Sequence, residues 1–176
     1  MHFGREVTTL PPGMRIVARG RTARRLRSGQ LRGNRFELFI RGGDPAVARE
    51  RLGRLSVTGM PNYYGAQRVG GAAPADGRAV LLGRGPRLRF DQLKFVLSAY
   101  QSLLFNRVLA ARGPGRMDGD LEEDGIATGP MFGPTMRWPT GAARAVEERV
   151  LAEENLPPDA WERFPKLTQE IGRAHV

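Results

Sequence analysis

The sequence contains no cysteine and only two histidines, His2 and His175. The lack of cysteine excludes disulfides, thiolate catalysis and cysteine-bound zinc. With so few histidines, a histidine-based catalytic triad or metal site is not expected. No apolar run approaches the roughly 18 residues that a membrane span needs, and the N-terminal residues lack the apolar core of a signal peptide. We therefore expect a soluble, intracellular protein of the cytoplasm with no membrane partner.

Acidic residues and lysines are also scarce, and the positive charge is almost entirely arginine. Lys and Arg together number 28 against 18 Asp and Glu, a net charge of +10 and a pI near 11.3, while only Lys94 and Lys166 are lysines. From Met1 to Arg54 there are 13 Arg and 4 acidic residues, which gives 13 − 4 = +9. Guanidinium groups bind phosphate with two hydrogen bonds and stack on bases. The balance therefore indicates a polyanionic partner.

The segment RRLRSGQLRGNRFELFIR, residues 24–41, combines basic, amide and aromatic groups. After Gly33 the pattern alternates as in a strand, with Asn34 at its start and Phe36 as its first inward ring. An amide that contacts a base edge and a ring that stacks on a base suggest a nucleotide pocket. The alternative is that Asn34 is a turn residue and Phe36 belongs to the core. The phosphate-binding candidates beside this pocket are Arg24, Arg25, Arg27 and Arg32.

The first third of the chain is predicted to form two short strands and a helix. The strands cover 14–19 and 34–41 and pair with each other, although two strands alone are marginally stable. The helix begins with Asp44 as its N-cap and Pro45 in its first turn. One of its faces is predicted to pack on a sheet, through Ala48, Leu52 and Leu55.

The remainder is predicted to be largely helical. A core helix covers 91–112, with Asp91 as its N-cap, and a second helix covers 140–154. Residues 71–87 are expected to form a connector with one or two helical turns near 76–82. The polar side of the core helix is predicted to carry Lys94, Ser98, Gln101 and Ser102.

An acidic turn at 117–124 and an ordered loop at 127–139 separate these helices. The Asp118-Gly119-Asp120 sequence is similar to part of a calcium loop, but the longer ligand pattern of an EF-hand is missing. We therefore expect a solvated acidic turn and no metal site.

The loop GMPNYYGAQRVG, residues 59–70, adds two tyrosines and the donors Gln67 and Arg68. Together with RRLRSGQLRGNRF, LSAYQSLLFNRVLAAR and the acidic turn, in this order, it resembles the TruD family of tRNA pseudouridine synthases. The resemblance spans roughly 24–156, and NYYGAQR is its most specific part.

This resemblance implies an α+β fold: a partial pseudouridine synthase catalytic domain of short antiparallel strands plus a helix, followed by a largely helical TruD-type inserted domain. We place these at 1–58 and 59–170. It further implies a monomer that isomerises a D-arm uridine of tRNA, at position thirteen in the family, without metal or organic cofactor. Asn34 and Phe36 match the two uracil-pocket residues of the family's GNxF motif. The expected RNA-binding arginines are Arg24, Arg25, Arg27, Arg32 and Arg68.

The sequence departs from the family at the catalytic motif, a Gly-x-Lys-Asp stretch that precedes the arginine-rich turn. The first aspartate here is Asp44 and the first lysine is Lys94. We therefore expect an internal fragment with no catalytic residue, inactive alone, in which residues 171–176 are a non-native tail. Two other hypotheses stay open: a non-catalytic basic RNA-binding module, and an α+β domain whose charge serves only solubility.

Overall fold

A computed structural model describes residues 11–16, 20, 37, 39–165 and 173–176. The chain divides into two units, Met1–Val47 and Ala48–Val176. The predicted limits of the family-type domains stay predictions. None of the helices in the described residues combines the length and apolar character that crossing a bilayer requires. In chain order the described elements are α1 (Pro45–Thr58), α2 (Ala66–Val69), α3 (Ala73–Leu81), α4 (Phe90–Arg112), β1 (Glu122–Glu123), β2 (Ile126–Pro130), α5 (Gly141–Ala152) and β3 (Arg173–His175).

Helix α1 begins where the sequence predicts, at its Asp44 cap. The Asp44 carboxylate accepts a hydrogen bond from the backbone N–H of Ala46 at 2.7 Å, which satisfies one of the free donors of the first turn. The predicted inward face is wrong, because Leu52 is 57% exposed, Leu55 is also exposed and α1 buries none of its residues. Among the described residues no sheet lies against this helix.

The strands predicted over 14–19 and 34–41 are absent wherever the structure describes those residues. Residues 14–16, 37 and 39–41 belong to no strand, and Phe39 is 82% exposed. Alternating sequence forms a strand only when a neighbouring strand accepts its hydrogen bonds. The described sheet is instead a small antiparallel one formed by β1, β2 and β3. Helices with a small antiparallel sheet are compatible with the α+β class, while the domain architecture stays a prediction.

Helix α4 is the centre of the core in the Ala48–Val176 unit, and its prediction is confirmed. Leu97, Tyr100 and Leu104 recur at spacings of three and four and are almost fully buried. Helix α3 packs along this face and adds Val80 and Leu81 to the same cluster. Each large apolar side chain buried in this way contributes about 1.5–3 kcal/mol.

Gly77 lets α3 lie directly against α4. A Cβ at this position would sit 2.2 Å from the carbonyl oxygen of Val96, so only a residue without a side chain fits. The helical turns predicted near 76–82 are confirmed, but the helix is longer than predicted and covers Ala73–Leu81 of the expected connector. Glycine and proline suggested a loop, but here the glycine serves helix packing and Pro74 lies in the first turn.

Two details predicted for α4 are wrong. Asp91 lies in the first turn and is not the N-cap; the Gln92 side chain accepts a hydrogen bond at 3.1 Å from the backbone N–H three residues before it. Gln101 and Ser102, predicted on the solvent side, are buried. Gln101 is satisfied there because its Nε2 donates to the carbonyl of Phe132 at 2.6 Å. Buried amides need such partners, and sequence periodicity does not reveal them.

The acidic region folds into a hairpin. Glu123 pairs with Ile126 across a two-residue turn, in which Asp124 and Gly125 have φ of 53° and 76°. Positive φ at both positions matches the twist of paired strands, and an Asp-Gly turn adopts it readily. The exposed glutamates of β1 agree with a solvated turn. That prediction is wrong for Asp120, whose carboxylate is buried beside an arginine of α4.

The last described residues form a strand that the sequence pattern does not predict. In β3, Ala174 pairs with Gly129 of β2, and the backbone N–H of Val176 donates to the carbonyl of Ala127 at 3.0 Å. Helix α5 lies within the predicted 140–154 range and buries Val150 as predicted. The described part of the tail is thus paired with the sheet, and its non-native origin stays a prediction.

Candidate functional site

Of the seven predicted binding residues, Arg68 alone is described by the structure. It lies near the end of α2 and is half-buried. Its Nε donates to the hydroxyl of Ser102 on α4 at 3.4 Å, so one edge of the guanidinium is directed to the core helix. Its role in RNA binding stays a prediction. The other six lie outside the described residues, and their roles stay predictions as well: Arg24, Arg25, Arg27, Arg32, Asn34 and Phe36.

The NYYGAQR segment is fixed to α4 by the side chain of Asn106. Its Oδ1 accepts a hydrogen bond from the backbone N–H of Tyr64 at 2.9 Å, and its Nδ2 donates to the carbonyl of the same residue at 2.9 Å. A segment without a strand partner must satisfy its backbone groups in another way. One amide side chain supplies both the acceptor and the donor here.

The two adjacent tyrosines have different environments. The Tyr64 ring meets Phe105 edge to face, with ring centroids 5.4 Å apart, and its hydroxyl lies 3.9 Å from the sulfur of Met131. Tyr63 is 48% exposed. Tyr64 therefore anchors the segment by packing, whereas the Tyr63 ring remains at the surface.

A cavity of about 760 Å³ lies between the 57–63 segment, the C-terminal end of α4 and the hairpin turn. This volume is within the range of small-molecule sites. Its walls are mainly apolar, from Met60, Leu109 and Ile126 among others, and the polar side chains include Tyr63. Among the described residues, both charged side chains that line it are arginines, Arg112 and Arg116.

Arg112 forms a buried ion pair beneath this cavity. Its Nη2 lies 2.6 Å from Oδ2 of Asp120, and the two side chains are 2% and 4% exposed. The same Oδ2 accepts the backbone N–H of Met117 at 2.8 Å. Within the described part of the chain, Nε of Arg112 and Oδ1 of Asp120 are buried without a hydrogen-bond partner. An unused buried donor is costly, and this Nε has almost no surface that a ligand could reach, so the Arg112–Asp120 pair is part of the packing.

Arg116 is the exposed arginine of the cavity. Its side chain is 67% exposed; Nη1 lies 2.9 Å from a carboxylate oxygen of Glu122, and Nη2 donates to the carbonyl of Gly125 at 2.9 Å. Exposed ion pairs of this kind contribute about 0–1 kcal/mol. An anionic ligand can therefore replace Glu122 at little cost.

A polar cluster centred on Glu154 has a structural role. The buried carboxylate accepts the Tyr100 hydroxyl at 2.6 Å and Nε of Arg78 at 3.0 Å, and it also pairs with Arg107. Burial raises the pKa of Tyr100 to about 12, against the opposing effect of the two arginine charges. Because Glu154 satisfies all three donors, the cluster fixes α3 and α4 to the end of α5.

A second buried ion pair attaches the last strand to α5. Nη2 of Arg173 lies 2.6 Å from a carboxylate oxygen of Glu147, with the side chains 7% and 2% exposed, and its Nε donates to the Thr128 hydroxyl at 2.8 Å. Burial raises the pKa of Glu147, while the hydrogen bond and charge of Arg173 act in the opposite direction. In the described residues no group of three or more histidine, aspartate or glutamate side chains could hold a metal ion.

Nothing in the sequence pattern marks Asn106, Arg112, Arg116 and Tyr63 as members of one site. Their residue types give a weak signal only, since a tyrosine in a loop and an arginine near a helix end are both common on surfaces. Asn106 and Tyr64 are separated by 42 positions, and nothing local indicates that pairing.

Comparison with known proteins gives concordant matches. A family model described as tRNA pseudouridine synthase D (TruD) matches residues 5–80. The tRNA pseudouridine synthase D of Anaeromyxobacter dehalogenans is 38% identical over 182 residues, which cover 82% of this chain and 52% of that protein. The corresponding protein of Thermus thermophilus is 35% identical over 179 residues, which cover 82% of this chain and 49% of that one. No solved structure gives a significant match.

The chain spans about half the length of the curated relatives that it matches. The family match includes the arginine-rich turn, the GNxF motif and the NYYGAQR segment, on which the resemblance was based. The chain is therefore similar in sequence to proteins named tRNA pseudouridine synthase D over 82% of its length, and its residues 5–80 match the TruD family model.

Proposed function

We propose that this chain is part of an enzyme that isomerises a D-arm uridine of tRNA, at position thirteen in the family, to pseudouridine. The supporting observation is that relatives named tRNA pseudouridine synthase D are 35–39% identical over 82% of this chain. The family match on residues 5–80 contains every proposed binding residue. These are Asn34 and Phe36 for the uracil, and Arg24, Arg25, Arg27, Arg32 and Arg68 for the phosphates.

The proposed roles follow from the side-chain chemistry. Isomerisation requires the target nucleotide to leave its stack, which costs a few kcal/mol. Phe36 would offset part of that cost by stacking on the extruded base, and the Asn34 amide would bind the base edge. The arginines would hold the flanking backbone with bidentate hydrogen bonds to phosphate.

We further propose that this chain binds tRNA without turning it over. The chemistry needs a carboxylate that attacks the sugar or removes its proton, and the family's Gly-x-Lys-Asp motif precedes the arginine-rich turn. No aspartate precedes Asp44 in this sequence. The proposal includes no metal or organic cofactor.

The test joins the N-terminal segment of a homologous synthase to this chain. The chain alone is expected to bind an unmodified tRNA transcript and to yield no pseudouridine by mass spectrometry, whereas the joined protein is expected to produce it. Asn34→Ala in the joined protein should lower the rate by about tenfold, the equivalent of one lost hydrogen bond to a base. A folded joined protein that forms no pseudouridine would contradict the proposal.

A second candidate is a non-catalytic RNA-binding module, which the +9 charge of the first 54 residues favours. Such a module would bind the phosphate backbone with a steep salt dependence and little preference among structured RNAs. Competition between tRNA and an unrelated hairpin at two salt concentrations separates the two candidates. A preference for tRNA that persists at the higher salt concentration supports the synthase assignment.

A further inference from the structure

The cavity beside the NYYGAQR segment combines an aromatic ring with two guanidinium groups. Tyr63 is half-exposed at its rim, while its neighbour Tyr64 is held by Asn106. Asn62, on the other side of Tyr63, donates a hydrogen bond to the carbonyl of His175 at 3.3 Å. Both neighbours of Tyr63 are therefore hydrogen-bonded to other parts of the Ala48–Val176 unit, the Tyr64 backbone to α4 and the Asn62 side chain to β3.

The cavity walls match the two parts of a nucleotide. Leu109 and Ile126 contribute apolar surface suited to the face of a base. Arg116 offers an exposed guanidinium whose present partner, the Glu122 carboxylate, is 35% exposed. Arg112 adds a positive charge to the wall, although its side chain is buried and paired with Asp120. Within the part of the chain that the structure describes, the lining contains no acidic side chain. This composition favours an anionic ligand with an aromatic ring over a basic or purely apolar peptide.

We propose that this cavity binds one unpaired nucleotide of the tRNA, in addition to the uridine assigned to Asn34 and Phe36. The base stacks on Tyr63, and the 5′ or 3′ phosphate replaces Glu122 at Arg116. Stacking on an aromatic side chain accepts any base, so the site contributes affinity without sequence preference. This inference rests on the proposed tRNA-binding function.

The experiment measures binding of an unmodified tRNA transcript to the full chain and its variants. Tyr63→Ala should weaken binding about tenfold, as expected for the loss of one stacked base, while Tyr63→Phe should bind like the unaltered chain. Arg116→Ala should weaken binding and lower its salt dependence by about one phosphate contact. The matched control is Arg144→Ala on α5, because Arg144 is also an exposed arginine in an ion pair but does not line the cavity; it should leave affinity unchanged.

Photocrosslinking provides a readout that a purely structural role would not change. A single-stranded oligouridylate that carries 5-iodouridine should crosslink to Tyr63, and peptide mapping by mass spectrometry identifies the site. The inference is overturned, while the proposed function stands, if tRNA binds but three results exclude the cavity. These are full affinity in Tyr63→Ala, full affinity in Arg116→Ala and no crosslink at Tyr63. If the unaltered chain binds no tRNA even at low salt, the proposed function fails, and the inference with it.

Discussion

Replacing Asn106 with alanine should release the NYYGAQR segment from α4. The substitution removes two hydrogen bonds of 2.9 Å, one accepted from the backbone N–H of Tyr64 and one donated to its carbonyl. A typical hydrogen bond contributes about 0.5–1.5 kcal/mol net, so two contribute about 1–3 kcal/mol. Both residues are half-buried, and water can reach part of the exposed backbone. We therefore expect a loss of about 1–2 kcal/mol in the free energy of unfolding.

Urea unfolding measures this loss as a lower midpoint with an unchanged slope. Hydrogen exchange provides a local readout, since the Tyr64 amide should lose its protection while the amides of α3 and α4 keep theirs. Asn62→Ala is the matched control in the same segment. Its single hydrogen bond, at 3.3 Å and exposed, should contribute less than about 0.5 kcal/mol.

Asn106→Asp separates the two hydrogen bonds. Aspartate keeps an acceptor for the Tyr64 N–H but places a negative charge against the Tyr64 carbonyl, so the variant should be more stable at a pH where the new carboxyl is protonated. If Asn106→Ala changes the free energy of unfolding by less than about 0.5 kcal/mol and the Tyr64 amide keeps its protection, Asn106 does not hold the segment to α4.

Three further outcomes are expected. Arg173→Ala should cost about 3–5 kcal/mol at neutral pH, because it leaves Glu147 buried and unpaired. Since burial raises the pKa of Glu147 and the arginine opposes this, the variant's stability should fall as pH rises above the ordinary glutamate range; a deficit independent of pH would contradict this. Tyr100 should titrate near pH 12 in a phenolate absorbance titration, and this step should vanish in Tyr100→Phe. The free energy of unfolding should fall above about pH 10, because the phenol ionises at a lower pH in the unfolded chain than in the folded protein. Gly77→Ala should lower the thermal midpoint, whereas Gly53→Ala, with open space around its Cβ position, should raise stability by about 0.5–1 kcal/mol.

The parts of the fold that sequence predicts are those determined by local signals. Asp44 followed by proline marks the start of α1, and the three- and four-residue spacing of Leu97, Tyr100 and Leu104 marks α4. These signals lie within a few residues of the structure that they determine. The predicted strands fail because strand pairing is not local. The sequence alternates over 34–41 as a strand would, yet residues 39–41 have no strand partner among the described residues.

The contacts that the sequence did not reveal join distant positions. Glu147 and Arg173 are 26 residues apart, and Tyr64 and Asn106 are 42 apart. Asparagine, glutamate and arginine are residue types that are most often solvent-exposed, and their burial depends on a partner of matching geometry. By contrast, Asn34 and Phe36 are assigned to the uracil pocket from their residue types and from a short family motif. Their roles stay predictions because they lie outside the described residues.

In the NYYGAQR segment, packing explains the position of the Tyr64 ring but not that of the Tyr63 ring. Tyr64 has an aromatic contact and two backbone hydrogen bonds, so its ring and its conformation are explained by stability alone. Tyr63 has about half of its surface in water, and its ring contributes less to the core than burial would allow. An exposed aromatic ring that lines the same cavity as Arg116 stabilises the free protein little, but it can stack on a base as soon as RNA arrives. If Tyr63→Ala leaves the free energy of unfolding unchanged and weakens RNA binding, the ring has a role in ligand binding. If the substitution lowers the free energy of unfolding by more than about 1 kcal/mol, the ring has a role in core packing.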